Sequence, residues 1–318
     1  MKDLQIKQEL NFVSIDDFQI SYQVFGRDLY EAPVILIHHA LTGNSQVAGE
    51  SGWWKELVGE GKAVDLKKYS VLCFNIPGNT YDDQPPIPMT DYPTWSTKKV
   101  ANLFWKALSE LQIFHLHALI GGSLGGGIAW EMAFQNPDSV SNLIPIAVYY
   151  KVTDWIIGNV LIQEELLKTS DPPIELARMH AMTLYRTPES FSEKFKLEFS
   201  ENENLYEVES WLFYHGRALA KRFSIPAYLA MNHLLRTIGE ELTDEQLIDF
   251  AKKSSPKIHW IAIDSDRLFP LEEQLVQYEK LKKHKSNIEL HILKSIHGHD
   301  AFLIEYQQLK EILNPILN

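Results

Sequence analysis

The sequence of 318 residues has one cysteine and no long apolar run. With Cys73 as its only thiol, the chain cannot form an internal disulfide, which is typical of proteins from a reducing compartment. Cys73 lies in the apolar segment YSVLCFN, where we interpret it as a small core residue rather than a nucleophile. The longest apolar runs, such as NLIPIAVYY, fall far short of the ~20 residues that a membrane-spanning helix needs. We therefore expect no membrane association.

Positively charged residues are also few, and the first residues of the chain are not apolar. Lys and Arg total 30 against 42 Asp and Glu, which gives a net charge of −12. Such a chain repels phosphate groups, so nucleic acid is not an expected partner. The first ten residues, MKDLQIKQEL, contain no stretch typical of a signal peptide, and we expect a cytoplasmic protein. A hydrophobic content of 45% indicates a folded chain rather than a disordered one.

Short runs rich in Val and Ile alternate with helical patterns along much of the chain. The segment ISYQVFG alternates like a half-exposed strand, and six further runs are typical of strands buried on both faces. This alternation predicts βαβ units and a mostly parallel sheet. The predicted strands are residues 20–26, 33–39, 69–75, 116–122, 142–149, 257–263 and 288–293.

The strand pattern stops between residues 151 and 254. Segments there, such as IIGNVLIQEELL and AYLAMNHLLRTIG, have a helical period, and no Gly/Ser-rich linker separates them from the rest. We therefore predict one α/β domain, formed by residues 1–150 and 255–318, that is interrupted by a helical cap at residues 151–254.

Five glycines surround one serine in the segment ALIGGSLGGGIAW, residues 118–130. Glycine is costly inside regular structure, so this density indicates a tight turn with close backbone contacts. A predicted strand precedes Ser123 and a predicted helix follows it, which matches the strand–turn–helix nucleophile elbow G-x-S-x-G. One alternative is a turn in which Ser123 only caps the helix. Another is a phosphate-binding loop, but the segment lacks the Lys-Ser/Thr pair and the G-x-G-x-x-G spacing of such loops.

A serine nucleophile needs a base, and the base needs a carboxylate that orients it. In chains with such an elbow the acid follows a late strand and the histidine follows the last one. Here the segment DSDRLFP offers Asp264 and Asp266, and KSIHGHDAFL offers His297 and His299. All four follow predicted strands, at the sheet edge where Ser123 also lies. The residues alone leave the choice within each pair open, and a helix-capping aspartate or a solvated histidine is an alternative.

Two N–H donors must stabilise the oxyanion of an acyl-transfer intermediate. One comes from the residue after the nucleophile and one from the loop after an early strand. These positions are Leu124 and, in the loop HHALTGNS, Leu41. His38 and His39 end the preceding strand, and we interpret them as structural residues. We predict no metal-binding residue and no permanently bound cofactor.

In their order along the chain, these motifs resemble the homoserine O-acetyltransferase family of the α/β-hydrolase superfamily. The resemblance implies the α/β-hydrolase fold, with helices on both faces of a mostly parallel sheet and an inserted helical cap. It also implies Ser123 as nucleophile, Asp266 as acid and His299 as base. The similar segments are HALTGNS (39–45), GWWKELVGEGKAVDLKKYSVLCFN (52–75), IGGSLGG (120–126), SDRLFP (265–270) and GHDAFL (298–303).

The same resemblance implies an acceptor site for an amino acid. Asp300, directly after the histidine, is expected to bind the amine of homoserine. Arg178, in the segment ELARMHAMTLYRTPESF, is expected to contact the substrate carboxylate, and Tyr185 to line the pocket. An acceptor with both charges needs one anion and one cation placed apart in a desolvated cleft.

The predicted function is transfer of an acetyl or other short acyl group from acyl-CoA, as co-substrate, to homoserine or a similar hydroxy amino acid through an acyl-serine. This activity belongs to methionine biosynthesis. The segment IPGNTYDDQPPIP (76–88) differs from the family's glycine-rich loop, so a serine esterase or thioesterase is an alternative. A non-catalytic binding module is another.

Hydrophobic cap helices, together with the resemblance, predict a homodimer through the cap. Candidate cations for the CoA phosphates are Arg217, Lys221 and Arg222.

Overall fold

The computed structural model describes residues 9–16, 18–82, 91–253 and 255–318. Part of the divergent segment 76–88 therefore lies outside the described residues. The twelve strands within these ranges are β1 (Asn11–Ile15), β2 (Phe18–Gly26), β3 (Val34–His38), β4 (Val58–Gly59), β5 (Val64–Asp65), β6 (Ser70–Phe74), β7 (Leu116–Gly122), β8 (Val140–Ile146), β9 (Phe199–Ser200), β10 (Leu205–Tyr206), β11 (Lys257–Ile263) and β12 (Ile288–Leu293).

Ten α-helices occur in the described ranges: α1 (Thr97–Glu110), α2 (Leu124–Gln135), α3 (Asp154–Thr169), α4 (Pro173–Tyr185), α5 (Pro188–Phe195), α6 (Glu207–Ala220), α7 (Ile225–Leu235), α8 (Asp244–Lys253), α9 (Leu271–Lys282) and α10 (Tyr306–Leu317). None of them combines the length and the hydrophobicity that a bilayer span requires.

Eight strands form the central sheet, in the order β1-β2-β6-β3-β7-β8-β11-β12. The first two pairings are antiparallel, and every pairing from β6 to β12 is parallel. Parallel neighbours require crossover connections. α2 supplies the one from β7 to β8, and α9 the one from β11 to β12. The predicted mostly parallel sheet is confirmed. The predicted strand 142–149 is β8, which ends at Ile146 because Ala147 turns to a φ of 52°.

The two faces of the sheet carry separate apolar cores because alternate side chains point to opposite faces. Leu36 and its register partner Leu119 belong to the core under α1, α2 and α9. Their neighbours Ile35 and Ala118 belong to the other core, which α10 and residues 47–66 cover. Helices therefore pack on both faces, as predicted.

The connection from β8 to β11 carries α3 to α7 and the short pair β9–β10. Side chains of these helices, such as Val160 and Leu229, join the same apolar core as Leu124 of α2. The following helix, α8, packs against α2: the ring centroid of Phe250 lies 4.8 Å from that of Phe134. The division into residues 1–150 plus 255–318 and a cap at 151–254 stays a prediction.

Candidate active site

Ser123 lies in the sharp turn between β7 and α2. Its backbone has φ 55° and ψ −127°, a conformation that non-glycine residues adopt only where surrounding structure enforces it. Two hydrogen bonds do so: the Ser123 N–H donates to the Ile146 carbonyl at 2.9 Å, and the Ser123 carbonyl accepts from the Gly127 N–H at 3.1 Å. The side chain therefore projects at the carboxyl edge of the sheet and at the N-terminus of α2.

Crowding around the turn explains its glycines. A Cβ added to Gly121 would lie 2.2 Å from the Gly125 carbonyl oxygen. A Cβ added to Gly125 would lie 2.6 Å from the carbonyl oxygens of His38 and His39. Only a residue without a side chain allows β7, α2 and the loop after β3 to approach so closely.

The structure brings Ser123, His299 and Asp266 together. Ser123 Oγ lies 2.9 Å from His299 Nε2, and His299 Nδ1 lies 2.7 Å from Asp266 Oδ2. The other carboxylate oxygen of Asp266 accepts from the N–H groups of Leu268 and Phe269, each at 2.8 Å. Because the carboxylate accepts from Nδ1–H, Nε2 keeps its lone pair for the serine hydroxyl. The three side chains are almost fully buried.

Opposing influences set the pKa of His299. Burial alone lowers this pKa, but the carboxylates of Asp266 and Asp300 outweigh burial, and the net pKa is raised above its ordinary value. A raised pKa makes the imidazole a stronger base, so it can accept and keep the serine proton while a charged intermediate forms.

The other members of the two candidate pairs have different partners. Asp264 Oδ1 accepts from the Ser295 N–H at 3.0 Å, which ties together the loops after β11 and β12. His297 Nδ1 lies 3.1 Å from Ser190 Oγ and 3.2 Å from Arg186 Nη2 in the cap. The structure therefore places neither residue in the hydrogen-bonded chain with Ser123.

Leu41 lies in the loop after β3, and Leu124 directly follows Ser123 at the start of α2. The Gly43 N–H closes a turn onto the Ala40 carbonyl at 2.9 Å, and the N–H of Leu41, second in that turn, takes no part in the bond. Leu124 is the first residue of α2, where backbone N–H groups lack intrahelical acceptors. Their role as oxyanion donors stays a prediction.

His38 and His39 are buried outside the Ser–His–Asp chain. Burial and the neighbouring histidine lower the pKa of His38 to about 3, and its Nε2 contacts Met132 Sδ at 3.1 Å. Burial lowers the pKa of His39 to about 4, although the Ala40 carbonyl opposes this shift. His39 Nδ1 donates to that carbonyl at 2.8 Å and Nε2 accepts from the Ile76 N–H at 3.0 Å. His39 thus joins the loop after β3 to the loop after β6.

The cap supplies charged side chains next to the histidine. Asp300 Oδ2 lies 3.9 Å from Arg186 Nη1. Burial raises the pKa of the Asp300 carboxyl, while Arg178, His299 and Arg186 oppose the shift. The guanidinium of Arg178 lies 5.5 Å from the ring centroid of Tyr185, which in turn lies 5.5 Å from the His299 ring. Asp300, Arg178 and Tyr185 therefore lie close to one another beside His299, and their role in binding an acceptor stays a prediction.

The chain is similar to known proteins over almost its whole length. A family model described as the alpha/beta hydrolase fold matches residues 33–306. Homoserine O-acetyltransferase of Salinibacter ruber is 30% identical over 336 residues, which cover 96% of this chain and 93% of that relative. The chain belongs to the homoserine O-acetyltransferase family.

Solved structures share the fold. The homoserine O-acetyltransferase of Bacillus anthracis superposes with a TM-score of 0.85 at 19% identity, covering 98% of both chains. Esterase E22 superposes with a TM-score of 0.82 at 18% identity, covering 94% of both chains. A transferase and an esterase thus share this architecture, so the fold by itself does not choose between their reactions.

Arg186, which lies next to Asp300, is a further candidate residue that the sequence did not single out. It lies in the quoted cap segment, eight positions after Arg178, and the segment offered no reason to prefer it. Besides Asp300, it contacts Ser190 Oγ at 2.7 Å through Nη2. These contacts depend on how the cap docks over the loop after β12, which helical periodicity does not encode.

Of the three cations considered for CoA phosphates, Arg222 contacts the sheet domain. Its Nη1 donates to the Thr42 carbonyl at 2.8 Å, next to Leu41. Arg217 lies over the Phe213 ring at 5.8 Å, and Lys221 is exposed at the end of α6. Arg222 therefore bridges the cap and the loop after β3.

Proposed function

We propose that this enzyme transfers an acetyl or other short acyl group from acyl-CoA to the hydroxyl of homoserine or a similar hydroxy amino acid. The observation that carries the proposal is the hydrogen-bonded chain Ser123–His299–Asp266. The charges of Asp300, Arg178 and Arg186 lie next to this chain. A nucleophile with its base is thus combined with separate anionic and cationic groups. The similarity to proteins named homoserine O-acetyltransferase supports this reading.

In the first half-reaction, His299 Nε2 takes the proton of Ser123 as Oγ attacks the thioester carbonyl. The oxyanion accepts hydrogen bonds from the N–H groups of Leu41 and Leu124. When the carbon–sulfur bond breaks, His299 returns the proton to the departing CoA sulfur. The acyl group is then an ester of Ser123, and His299 is neutral again.

In the second half-reaction, the acceptor hydroxyl gives its proton to His299 Nε2 and attacks the acyl-serine carbonyl. The bond between Ser123 Oγ and the acyl carbon breaks, and His299 returns the proton to Oγ. Asp266 stabilises the imidazolium in both halves without itself being protonated. The same histidine therefore serves both substrates in turn.

Charge complementarity holds the acceptor in this scheme. The carboxylate of Asp300 pairs with the ammonium of the amino acid, and the guanidinium of Arg178 pairs with its carboxylate. Arg186 opposes the rise in the pKa of Asp300 and so favours the charged form that an ammonium requires. Tyr185 lies between Arg178 and His299 and supplies an apolar wall.

Transfer must also outcompete hydrolysis of the acyl-serine. Ser123 and His299 expose only 4% and 3% of their surface. The cap shares a continuous apolar core with α2, which keeps it closely packed over this region. Water is therefore restricted at the acyl group, while a bound acceptor is held in position.

The test compares purified protein and acetyl-CoA with and without L-homoserine. Thiol release reports the first half-reaction, and mass spectrometry identifies O-acetylhomoserine or acetate. We expect thiol release to be strongly acceptor-dependent and O-acetylhomoserine to be the product. Acceptor-independent release with acetate as product would assign a thioesterase or esterase instead. A panel of other acyl-CoA donors and hydroxy amino acids then defines the preferred pair.

The homodimer through the cap stays a prediction. The cap exposes several large apolar side chains, with Leu197 88% and Tyr214 64% exposed. Light scattering of the chain and of a Leu197→Asp, Tyr214→Asp variant tests it, and a monomeric wild type would refute it.

A further inference from the structure

We propose that His259, Glu289 and His291 form a binding site for a divalent transition metal of the zinc type. The three residues lie on β11 and β12, at one edge of the central sheet. The strand register pairs His259 with Glu289 and Ile261 with His291. Parallel pairing and side-chain alternation place all three side chains on the sheet face that α10 covers.

The ligand atoms have the spacing that such an ion requires. His291 Nε2 lies 3.4 Å from His259 Nδ1. Glu289 Oε2 lies 3.6 Å from His259 Nδ1 and 3.8 Å from His291 Nε2. The point equidistant from these three atoms lies about 2.1 Å from each of them. This distance matches the ~2.0–2.2 Å bonds that zinc forms with histidine nitrogen and carboxylate oxygen. An ion therefore fits without rearrangement of the backbone.

His259 has no other evident role. It is 1% exposed, and its polar contacts within the described residues are to Glu289 and His291. Its Nε2 has no hydrogen-bond partner in the described part of the chain. A structural histidine usually fixes its ring with a bond on each nitrogen, as His39 does. In the described part of the chain, the ring makes its polar contacts through Nδ1, to the other two members of the proposed site. The centroids of the stacked His259 and His291 rings lie 5.7 Å apart.

One neighbour opposes cation binding. Lys257 Nζ lies 3.2 Å from Glu289 Oε1, so the ammonium pairs with one carboxylate oxygen and leaves the other for the metal. Its charge repels the ion, and we expect a site of moderate affinity whose strength increases when this charge is removed.

The fourth coordination position opens towards a groove of about 390 Å³ between β12 and α10. Gln308 and Glu311 of α10 also line this groove. The site lies towards the amino ends of β11 and β12, whereas Asp266 and His299 follow their carboxyl ends. We therefore assign it a stabilising role at the sheet edge, independent of the proposed acyl transfer.

The test uses the full chain, freed of metal with a chelator and titrated with Zn²⁺ by calorimetry and with Co²⁺ by absorption spectroscopy. We expect one equivalent to bind, a rise in Tm with Zn²⁺, and cobalt bands typical of four-coordination. Glu289→Gln and His291→Gln should each weaken binding at least ~10-fold, as loss of ordered ligands does. Lys257→Met should tighten it.

The matched control is His284→Gln, which removes an exposed histidine elsewhere on the chain. It should bind zinc like the wild type. The proposal is overturned if the wild type binds no stoichiometric metal at micromolar zinc. Binding that is unchanged in a correctly folded His291→Gln variant overturns it equally, since the ion would then lie at another site such as the one around His299.

Discussion

The candidate site has two walls, one on the side of the sheet and one on the side of the cap helices, and the two are built differently. On the sheet side, Ser123, His299 and Asp266 are linked by hydrogen bonds of 2.9 and 2.7 Å on turns that crowding fixes in place. On the cap side, Arg186 approaches Asp300 only to 3.9 Å, and Arg178 faces a ring at 5.5 Å. Under the proposed function, bond making would depend on the hydrogen-bonded wall and acceptor choice on the charged, more loosely connected one. Removing a group from each wall should change different kinetic constants.

The largest effect is expected on the sheet side. Ser123→Ala removes the nucleophile, and we expect kcat to fall on the order of 10⁴-fold or more. Mass spectrometry of protein incubated with acetyl-CoA should show an acetylated wild type and an unmodified variant. The thermal stability should not fall, because within the described residues the hydroxyl's hydrogen bond is to His299 alone. Full turnover by a folded variant would exclude the acyl-serine mechanism.

A cap-side change should act on the acceptor instead. Arg186→Gln removes one of the charges that oppose the rise in the pKa of Asp300, and so weakens the pair between Asp300 and the substrate ammonium. We expect the KM for homoserine to rise roughly 10- to 100-fold, the range for a lost hydrogen bond to a charged group. The rate of thiol release in a single acylation turnover should stay near the wild-type value. Arg27→Gln, which removes an exposed arginine paired with Glu31, is the control. Equal losses in both half-reactions would contradict the division between the walls.

The pH dependence couples the two walls. His299 must be neutral to act as base, so the acylation rate should rise with pH through its pKa, which is raised above the ordinary value of 6.5. Asp300→Asn removes one carboxylate that raises this pKa, and the acidic limb should move to lower pH. Stopped-flow thiol release with acetyl-CoA alone measures this without the acceptor. A limb that moves to higher pH would reverse the assigned sign.

The smallest effect on activity is expected at the contact between α2 and the residues after α7, which we call the seam. Glu131 of α2 accepts from the Gly239 N–H after α7 at 2.9 Å. Burial raises the pKa of this carboxyl to about 7, although Gly239 and Lys98 oppose the shift. The folded state therefore holds the proton more tightly than the unfolded state, and stability falls as pH rises from about 4.5 to 7.

Glu131→Gln keeps the acceptor oxygen and removes the titration. We expect a stability near that of the wild type at acidic pH and about 3 kcal/mol more at pH 8, from a pKa difference of roughly 2.5 units. Denaturant unfolding at both pH values measures this, with kcat as the control. A variant that is less stable at pH 8 would show that the ionised carboxylate stabilises the seam.

Local patterns were enough to predict the parallel sheet and the serine turn, because period and glycine density act within a few residues. They did not predict β1, whose five residues alternate too briefly to stand out. The choice of Asp266 over Asp264 depends on which carboxylate receives the N–H groups of the following turn, a property of the folded loop. Arg186 became visible only once α4, α5 and the loop after β12 were in contact.

The crowding at Gly121 and Gly125 has a practical consequence for engineering. A library that varies the turn around Ser123 should yield almost no folded members, because even a methyl group there meets a carbonyl oxygen. Exchanging segments between residues 173 and 195 leaves that turn unchanged, but it replaces the charged side chains that lie near it. New acceptor alcohols should therefore be sought by recombination in α4 and α5 rather than by mutagenesis of the nucleophile's surroundings.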